Sequence, residues 1–146
     1  MIYGRRYMPD YIAPYILRSE YECPCCNRLP FGFDDSDVAY TVFFEDFEYI
    51  REEWGKGIPI SSGFRCPGYN ESIGGEPLSV HQFGLALDLD CVDDEEVGAM
   101  AAVIQQVACD LRRGEYRGDT SFIHIDAGYF IRPSATSKWA EGARWT

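Results

Sequence analysis

Apolar side chains recur at three- and four-residue spacing along two long segments, residues 37–54 and 93–113. This spacing places them on one face of a helix, so the sequence predicts two amphipathic helices that each bury one side. The repeating positions of the first are Val38, Val42, Phe43, Phe47, Ile50 and Trp54. Those of the second are Val97, Met100, Val103, Ile104, Val107 and Leu111. We expect Ser36 to cap the first helix, Arg112 to occupy the last turn of the second, and Gly114 to end it.

Two shorter segments alternate between apolar and polar positions, as half-buried strands do. In residues 84–90 the leucines point to one side and Asp88 to the other. In residues 121–126 the isoleucines point to one side, and His124 and Asp126 to the other. With a further short strand expected in "IPISSGF", the pattern predicts an α+β fold in which a small antiparallel sheet packs with the two main helices.

The chain length of 146 residues fits one domain, so we expect a single domain over 1–146. Residues 1–20 show no clean period and are interpreted as an N-terminal arm or irregular lead-in. No apolar run approaches the roughly 18 residues that a membrane helix needs, so no membrane insertion is expected. No apolar stretch follows the early basic residues, which predicts synthesis in the cytoplasm without a signal peptide.

Charge excludes one class of partner. The formal net charge is −11, and the acidic residues are spread through the chain. Since binding to phosphate requires a basic surface, a nucleic-acid partner is not expected.

The chain has only two histidines, and each lies in or next to a predicted strand that also carries an aspartate. His81 precedes Asp88 by seven residues, and Asp126 lies on the same strand face as His124. Two imidazoles and one carboxylate suit a catalytic zinc site, which has three protein ligands and an open position. The spacing alone leaves ordinary hydrogen-bonded histidines as the more common interpretation.

The segment SSGFRCPGYNESIGGEPLSVHQFGLALDLD resembles the D-alanyl-D-alanine carboxypeptidase family of zinc peptidases, which shares its fold with hedgehog domains. The family pattern has Ser-Gly-Tyr-Arg, an Asn, Gly-Gly, and then Ser-x-His-x-x-Gly-x-Ala-x-Asp. The corresponding places here are 62–65, Asn70, 74–75 and 79–88. The family's second motif, a hydrophobic strand with His-x-Asp, is similar to residues 122–126. The resemblance covers about residues 40–130 in the family's order.

The resemblance implies a role for each matching residue. His81, Asp88 and His124 match the three zinc ligands, which implies one zinc ion per chain on the sheet. Arg65 matches an arginine that holds a substrate carbonyl or carboxylate oxygen, as a guanidinium fork can. Ser79 is expected to support the loop or orient substrate.

One position departs from the family pattern. Many members have Asp or Glu three residues before the last histidine ligand, as the general base, whereas this chain has Ser121. The remaining nearby acids are Asp126, as base or as a partner that orients a histidine, and Asp119 as the second choice.

The six cysteines are expected to be free, because no signal peptide precedes them. Buried thiols are the favoured interpretation of "CPCC" at 23–26, since free cysteine behaves as a small apolar side chain. The alternative is a structural metal site, for which a second pair would have to come from Cys66, Cys91 or Cys109.

The resemblance implies a zinc metallopeptidase, a carboxypeptidase or endopeptidase, that hydrolyses peptidoglycan stem or cross-link peptides. An endolysin-type enzyme, released at the cell wall by a phage lysis system or carried in a virion, would reach that substrate without a signal peptide. The alternative is a non-catalytic zinc-binding structural or interaction protein on the same scaffold, which Ser121 favours.

Overall fold

A five-stranded sheet forms the centre of the molecule. The computed structural model describes residues 10–132 and 140–146. The strands are β3 Ile60–Ser62, β4 Ala86–Asp90, β5 Arg112–Tyr116, β6 Phe122–Asp126 and β7 Arg144–Trp145, and their order across the sheet is β3-β4-β6-β5-β7. Neighbours are antiparallel except β7, which runs parallel to β5. A separate hairpin joins β1 Tyr11–Ala13 to β2 Ile16–Leu17.

Two long helices pack on the sheet, as the apolar periodicity predicts. The helices are α1 Arg18–Tyr21, α2 Val38–Trp54, α3 Pro67–Ser72 and α4 Asp94–Val107, with 3₁₀ helices at Val80–Phe83 and Gly128–Phe130. The predicted α+β class is therefore confirmed. Among the described residues, no helix is long and apolar enough to cross a membrane.

The core lies between these helices and one face of the sheet. Strands β4 and β6 contribute alternate side chains, and α2 and α4 contribute the buried members of their apolar stripes. The fully buried residues include Phe43, Phe47, Ile50, Leu87, Leu89, Val97, Met100, Ile104, Ile123 and Ile125. Each large apolar side chain buried in this way stabilises the fold by about 1.5–3 kcal/mol. The opposite face of β4, β6 and β5 remains open and carries the polar residues.

The predicted second helix is too long. It ends at Val107, and Arg112–Tyr116 forms strand β5 instead of a last helical turn. Leu111 is fully buried, so it satisfies the apolar stripe without being helical. Gly114 pairs with His124 of β6 and with β7, and therefore lies inside the sheet rather than at a helix end.

Three smaller predictions are also wrong. Asp37, not Ser36, is the N-cap of α2, because the Ser36 side chain turns back to hydrogen-bond Asp34. Val38 is 68% exposed, since the first turn of α2 extends beyond the core. Residues 10–20 are not irregular but form the β1–β2 hairpin and part of α1, while 1–9 lie outside the described residues.

Candidate metal centre

The structure brings together the three residues that the sequence predicts as metal ligands. His81 lies in the 3₁₀ helix Val80–Phe83, Asp88 in β4 and His124 in β6. One donor atom from each lies within 4.8 Å of the others. The strand register explains the meeting, because Asp88 is directly opposite His124. Their roles as ligands stay a prediction, but the local geometry gives each of them a defined donor atom.

His81 is fixed by a backbone carbonyl behind it. Its Nδ1 lies 2.6 Å from the Gly63 carbonyl oxygen, to which it donates, and its Nε2 lies 3.2 Å from Asp88 Oδ1. The Ser79 hydroxyl accepts the His81 backbone N–H, and Gly84 ends the 3₁₀ helix in the left-handed region at φ 73°. The ring therefore presents Nε2 to the centre, and Ser79 supports the loop.

His124 is oriented by a carboxylate. Its Nε2 donates to Asp126 Oδ2 at 2.6 Å, and its Nδ1 lies 3.0 Å from Asp88 Oδ1. A carboxylate behind an imidazole fixes both the ring orientation and the nitrogen that faces a metal. His124 therefore presents Nδ1, whereas His81 presents Nε2.

Asp126 is fully buried and held on both oxygens. Oδ1 accepts from Arg112 Nε at 2.7 Å and from the Gly128 backbone N–H at 2.8 Å. Oδ2 accepts from Arg112 Nη2 at 2.8 Å, in addition to His124. A carboxylate with this many partners is suited to positioning His124 rather than to moving a proton to substrate.

Sequence reasoning missed Arg112. The error followed from assigning it to a helix end, where an arginine normally faces solvent; in β5 it is buried and forms a bidentate pair with Asp126. The available signal was its position opposite Asp126 once β5 and β6 are paired as strands.

Arg65 contacts Asp88, whereas Arg112 and Asp126 lie beside His124. Its guanidinium donates to Asp88 Oδ2 and Asn70 Oδ1, each at 3.3 Å, and to the Ser62 hydroxyl at 3.0 Å. It therefore binds the carboxylate oxygen that does not face the histidines. This contact holds Asp88 in place and leaves Arg65 on the wall of the cavity.

The three donors open into a cavity of about 910 Å³. Tyr116 and Phe122 stack in parallel at 4.4 Å on its wall. The Trp145 ring lies 5.6 Å from the His124 ring, and its Nε1 donates to the Tyr116 hydroxyl at 2.9 Å. Gly114 makes room for this ring, because a Cβ there would lie within 3.0 Å of three Trp145 atoms. No local pattern in the sequence indicates this role of Trp145, which is distant along the chain from His124.

The charges of the centre favour a cation. Burial lowers the pKa of His81, so its ring is neutral and able to bind a metal. Burial would also lower the pKa of His124, but the hydrogen bonds that its ring donates to Asp126 and Asp88 outweigh burial and raise that pKa to about 9. The two carboxylates thus stabilise positive charge on His124, and a metal ion bound at Nδ1 would replace the proton there. The pKa of Asp88 is held below its usual value by the two histidines, despite its burial.

The donor set fits zinc. Two imidazole nitrogens and one carboxylate oxygen converge from rigid elements, and mixed nitrogen and oxygen donors select a transition metal over calcium or magnesium. With three protein donors at the wall of an open cavity, a fourth position would be accessible to water or substrate.

Asp119, the second candidate for the general base, and Ser121, at the position of the family's base, both lie away from the cavity. Asp119 is exposed in the β5–β6 loop and is not among the cavity-lining residues of the described chain. Ser121 donates to Asp94 Oδ1 at 2.7 Å, so its side chain binds the N-terminal end of α4 instead of the cavity. Glu76, which the sequence did not single out, lines the cavity.

Comparison with known proteins gives one family. Residues 19–126, well over half of the chain, match the family model described as Peptidase M15. No curated protein matches the chain. The matched range contains the whole His81–Asp88–His124 triad, together with Arg65, Arg112 and Asp126.

Proposed function

The chain belongs to the peptidase M15 family, and on that premise we propose that it is a zinc-dependent carboxypeptidase or endopeptidase that hydrolyses peptidoglycan stem or cross-link peptides. The observation that carries the proposal is the convergence of His81, Asp88 and His124 at the wall of an open cavity. Tyr116 and Trp145 line the same cavity and would contact a bound peptide.

The metal would be held by His81 Nε2, an oxygen of Asp88 and His124 Nδ1. Zinc, when bound, polarises the scissile carbonyl and makes water a nucleophile at neutral pH. Asp126 keeps the His124 ring turned toward the centre, and the Gly63 carbonyl does the same for His81.

Substrate binding is assigned to charged groups on the cavity wall. Arg65 is fixed by Asp88, Asn70 and Ser62, so its guanidinium is already oriented before substrate binds. We infer that it holds a carbonyl or carboxylate oxygen of the peptide. Arg144 is exposed and also lines the cavity, which adds positive charge where an acidic stem peptide would bind.

The proton carrier is assigned by its access to the cavity. Asp88 and Asp126 line the cavity but are engaged by histidines and arginines, whereas Glu76 is exposed at its rim. We therefore favour Glu76 over Asp119, and assign Asp126 the positioning of His124.

The test is mass analysis of peptidoglycan fragments after digestion with and without a chelator. We expect new stem-peptide fragments from the zinc-loaded protein, and none after chelation or with His81→Ala. Glu76→Gln should lower kcat at least tenfold, as loss of a general base does. Asp119→Asn, an exposed acid outside the cavity, is the matched control and should retain activity.

A second function on the same scaffold has one observation in its favour. The position that carries the base in many relatives is Ser121, whose side chain binds Asp94. In this alternative the chain is a zinc-binding structural or interaction protein, for example a virion component. Zinc-loaded protein that cleaves no peptidoglycan peptide would overturn the enzyme proposal in favour of this one.

The proposed substrate also implies a place of action. Peptidoglycan lies outside the cytoplasmic membrane, so the enzyme would act after release by a phage lysis system or from a virion. Fractionation of infected or producing cells, with the protein tracked through lysis, tests this part independently of turnover.

A further inference from the structure

A cluster of four cysteines lies apart from the His81–Asp88–His124 centre. Cys23, Cys25 and Cys26 follow α1, and Cys66 precedes α3. Their sulfur atoms all lie within 4.8 Å of one another, with Cys25 Sγ 3.6 Å from Cys23 Sγ and 3.4 Å from Cys66 Sγ. A disulfide bond would require about 2.05 Å. Sulfurs around a tetrahedral zinc ion, at about 2.3 Å from the metal, stand about 3.8 Å apart.

The local backbone is folded so that the first three sulfurs converge. The Asn27 backbone N–H donates to the Cys23 carbonyl at 2.8 Å, and the Cys23 N–H donates to the Arg28 carbonyl at 3.0 Å. Asn27 adopts the left-handed region at φ 57°, which asparagine tolerates better than most residues. This turn brings the sulfur atoms of Cys23, Cys25 and Cys26 together.

Backbone donors also point at the sulfurs. The Cys66 N–H donates to Cys23 Sγ, and the Tyr69 N–H donates to Cys66 Sγ, each at 3.4 Å. A hydrogen bond from a backbone N–H stabilises a thiolate more than a thiol, because the acceptor is charged. The thiolate is the form that binds metals.

Burial does not explain the cluster. The sequence favoured buried thiols, but Cys25 is exposed, and Cys26 and Cys66 are only half-buried. Cys109, outside the cluster, is exposed as well. That interpretation is therefore confirmed for Cys23 and wrong for Cys25, and apolar packing does not explain why four sulfurs meet here.

We propose that Cys23, Cys25, Cys26 and Cys66 bind a zinc ion as a tetrathiolate site. Four protein ligands fill the coordination sphere of zinc, so the site is structural and leaves no position for substrate. The chain then binds two zinc ions, one in each cluster, rather than the single ion that the sequence predicts.

The ion would connect the N-terminal turn to the loop that carries Arg65. Cys66 directly follows Arg65, whose side chain holds Asp88. The Phe64 N–H donates to the Tyr21 carbonyl at 2.6 Å, so the two segments already run side by side. A metal bridge between Cys66 and the turn after α1 would fix this junction behind the catalytic centre.

The experiment measures metal content and the spectrum of the cobalt-substituted protein. The variant is Cys25→Ser/Cys66→Ser, and the matched control is Cys91→Ser/Cys109→Ser, which removes as many cysteines from outside the cluster. Wild type and control should each retain two zinc ions per chain, and the variant only one. Cobalt in the cysteine site should give a thiolate-to-metal charge-transfer band, which His81→Ala retains and the double cysteine variant loses.

Two results would overturn the proposal. One is a single zinc ion per wild-type chain with no charge-transfer band after cobalt substitution. The other is a disulfide within the cluster of freshly purified protein, detected by alkylation and mass analysis without reductant. Both measurements on wild type apply even if the double cysteine variant fails to fold. Neither depends on peptidase activity, so failure here is distinguishable from failure of the proposed function.

Discussion

The Arg112–Asp126 pair should have two effects that can be measured separately: it stabilises the fold, and it orients His124. Both side chains are buried, and two hydrogen bonds of 2.7 and 2.8 Å join them. Arg112→Met leaves the Asp126 carboxylate buried without the counter-charge of its bidentate arginine partner. Removing one partner of such a pair costs about 3–5 kcal/mol of unfolding free energy. Asp126→Leu should cost a similar amount, because it removes the buried carboxylate that accepts from Arg112 Nε and Nη2.

The double variant separates the two effects. Arg112→Met/Asp126→Leu replaces both charged side chains with apolar ones. Its loss of unfolding free energy should therefore be at least about 2 kcal/mol smaller than the sum of the losses in the two single variants. Zinc affinity should not recover. Asp126→Leu removes the acceptor of His124 Nε2, and loss of such a partner typically weakens metal binding about 10–100-fold. Arg112→Met alone keeps the Asp126–His124 hydrogen bond and should weaken binding less.

Urea unfolding measures the stability term. It is carried out at a buffered free zinc concentration that leaves the His81–Asp88–His124 site empty, because a ligand bound only by the folded state adds its own stabilisation. Zinc affinity is measured separately by competition with a chelator. The coupling of Arg112 to Asp126 would be refuted if the loss of unfolding free energy in the double variant equalled the sum of the two single losses to within about 0.5 kcal/mol. Unchanged zinc affinity in Asp126→Leu would refute its role in orienting His124.

Three further substitutions test contacts around the centre and in the core. Gly114→Val places side-chain atoms against Trp145 and should lower the free energy of unfolding by about 1–3 kcal/mol, measured in urea. Adding Trp145→Ala should recover part of this loss, and two losses that simply add would contradict the packing argument. Tyr21→Phe removes a buried hydrogen bond of 2.7 Å to the Gly84 carbonyl and should cost about 1 kcal/mol, so an unchanged urea midpoint would count against that bond. Burial and a neighbouring carboxyl group raise the pKa of Asp46 to about 8, so the folded state keeps a proton that the unfolded state releases above its ordinary pKa. Stability should therefore fall as pH rises from about 4 to about 8, and Asp46→Asn should flatten that dependence; an identical pH profile in the variant would show that Asp46 is not its source.

Alternation along the strands was sufficient to predict much of the site. It placed Asp88 on one strand and His124 and Asp126 on another, each opposite to the apolar side. Because one face of each strand is buried, the pairing register is restricted to shifts that keep these residues on the open face. The observed register, with Asp88 opposite His124, is one of the few that remain.

The parts that the sequence did not predict depend on contacts between distant segments. Leu111 is buried whether its segment is helical or extended, so periodicity did not reveal strand β5 or the burial of Arg112. Trp145 reaches His124 only because β7 pairs with β5. Likewise, no local pattern indicates that Cys66 joins the cysteines at 23–26. Local spacing predicts which face a residue occupies, but not which remote residue lies beside it.

The pairing of β6 between β4 and β5 limits where insertions and deletions can be accepted. The loop from 117 to 121 is largely exposed, and a length change there can be absorbed without altering the strands. A one-residue deletion within Phe122–Asp126 that kept the flanking pairs would turn the remaining side chains over. His124 would then enter the apolar core, and an isoleucine would face the cavity. Length variation among related chains should therefore be concentrated in that loop and be absent from the five residues of β6.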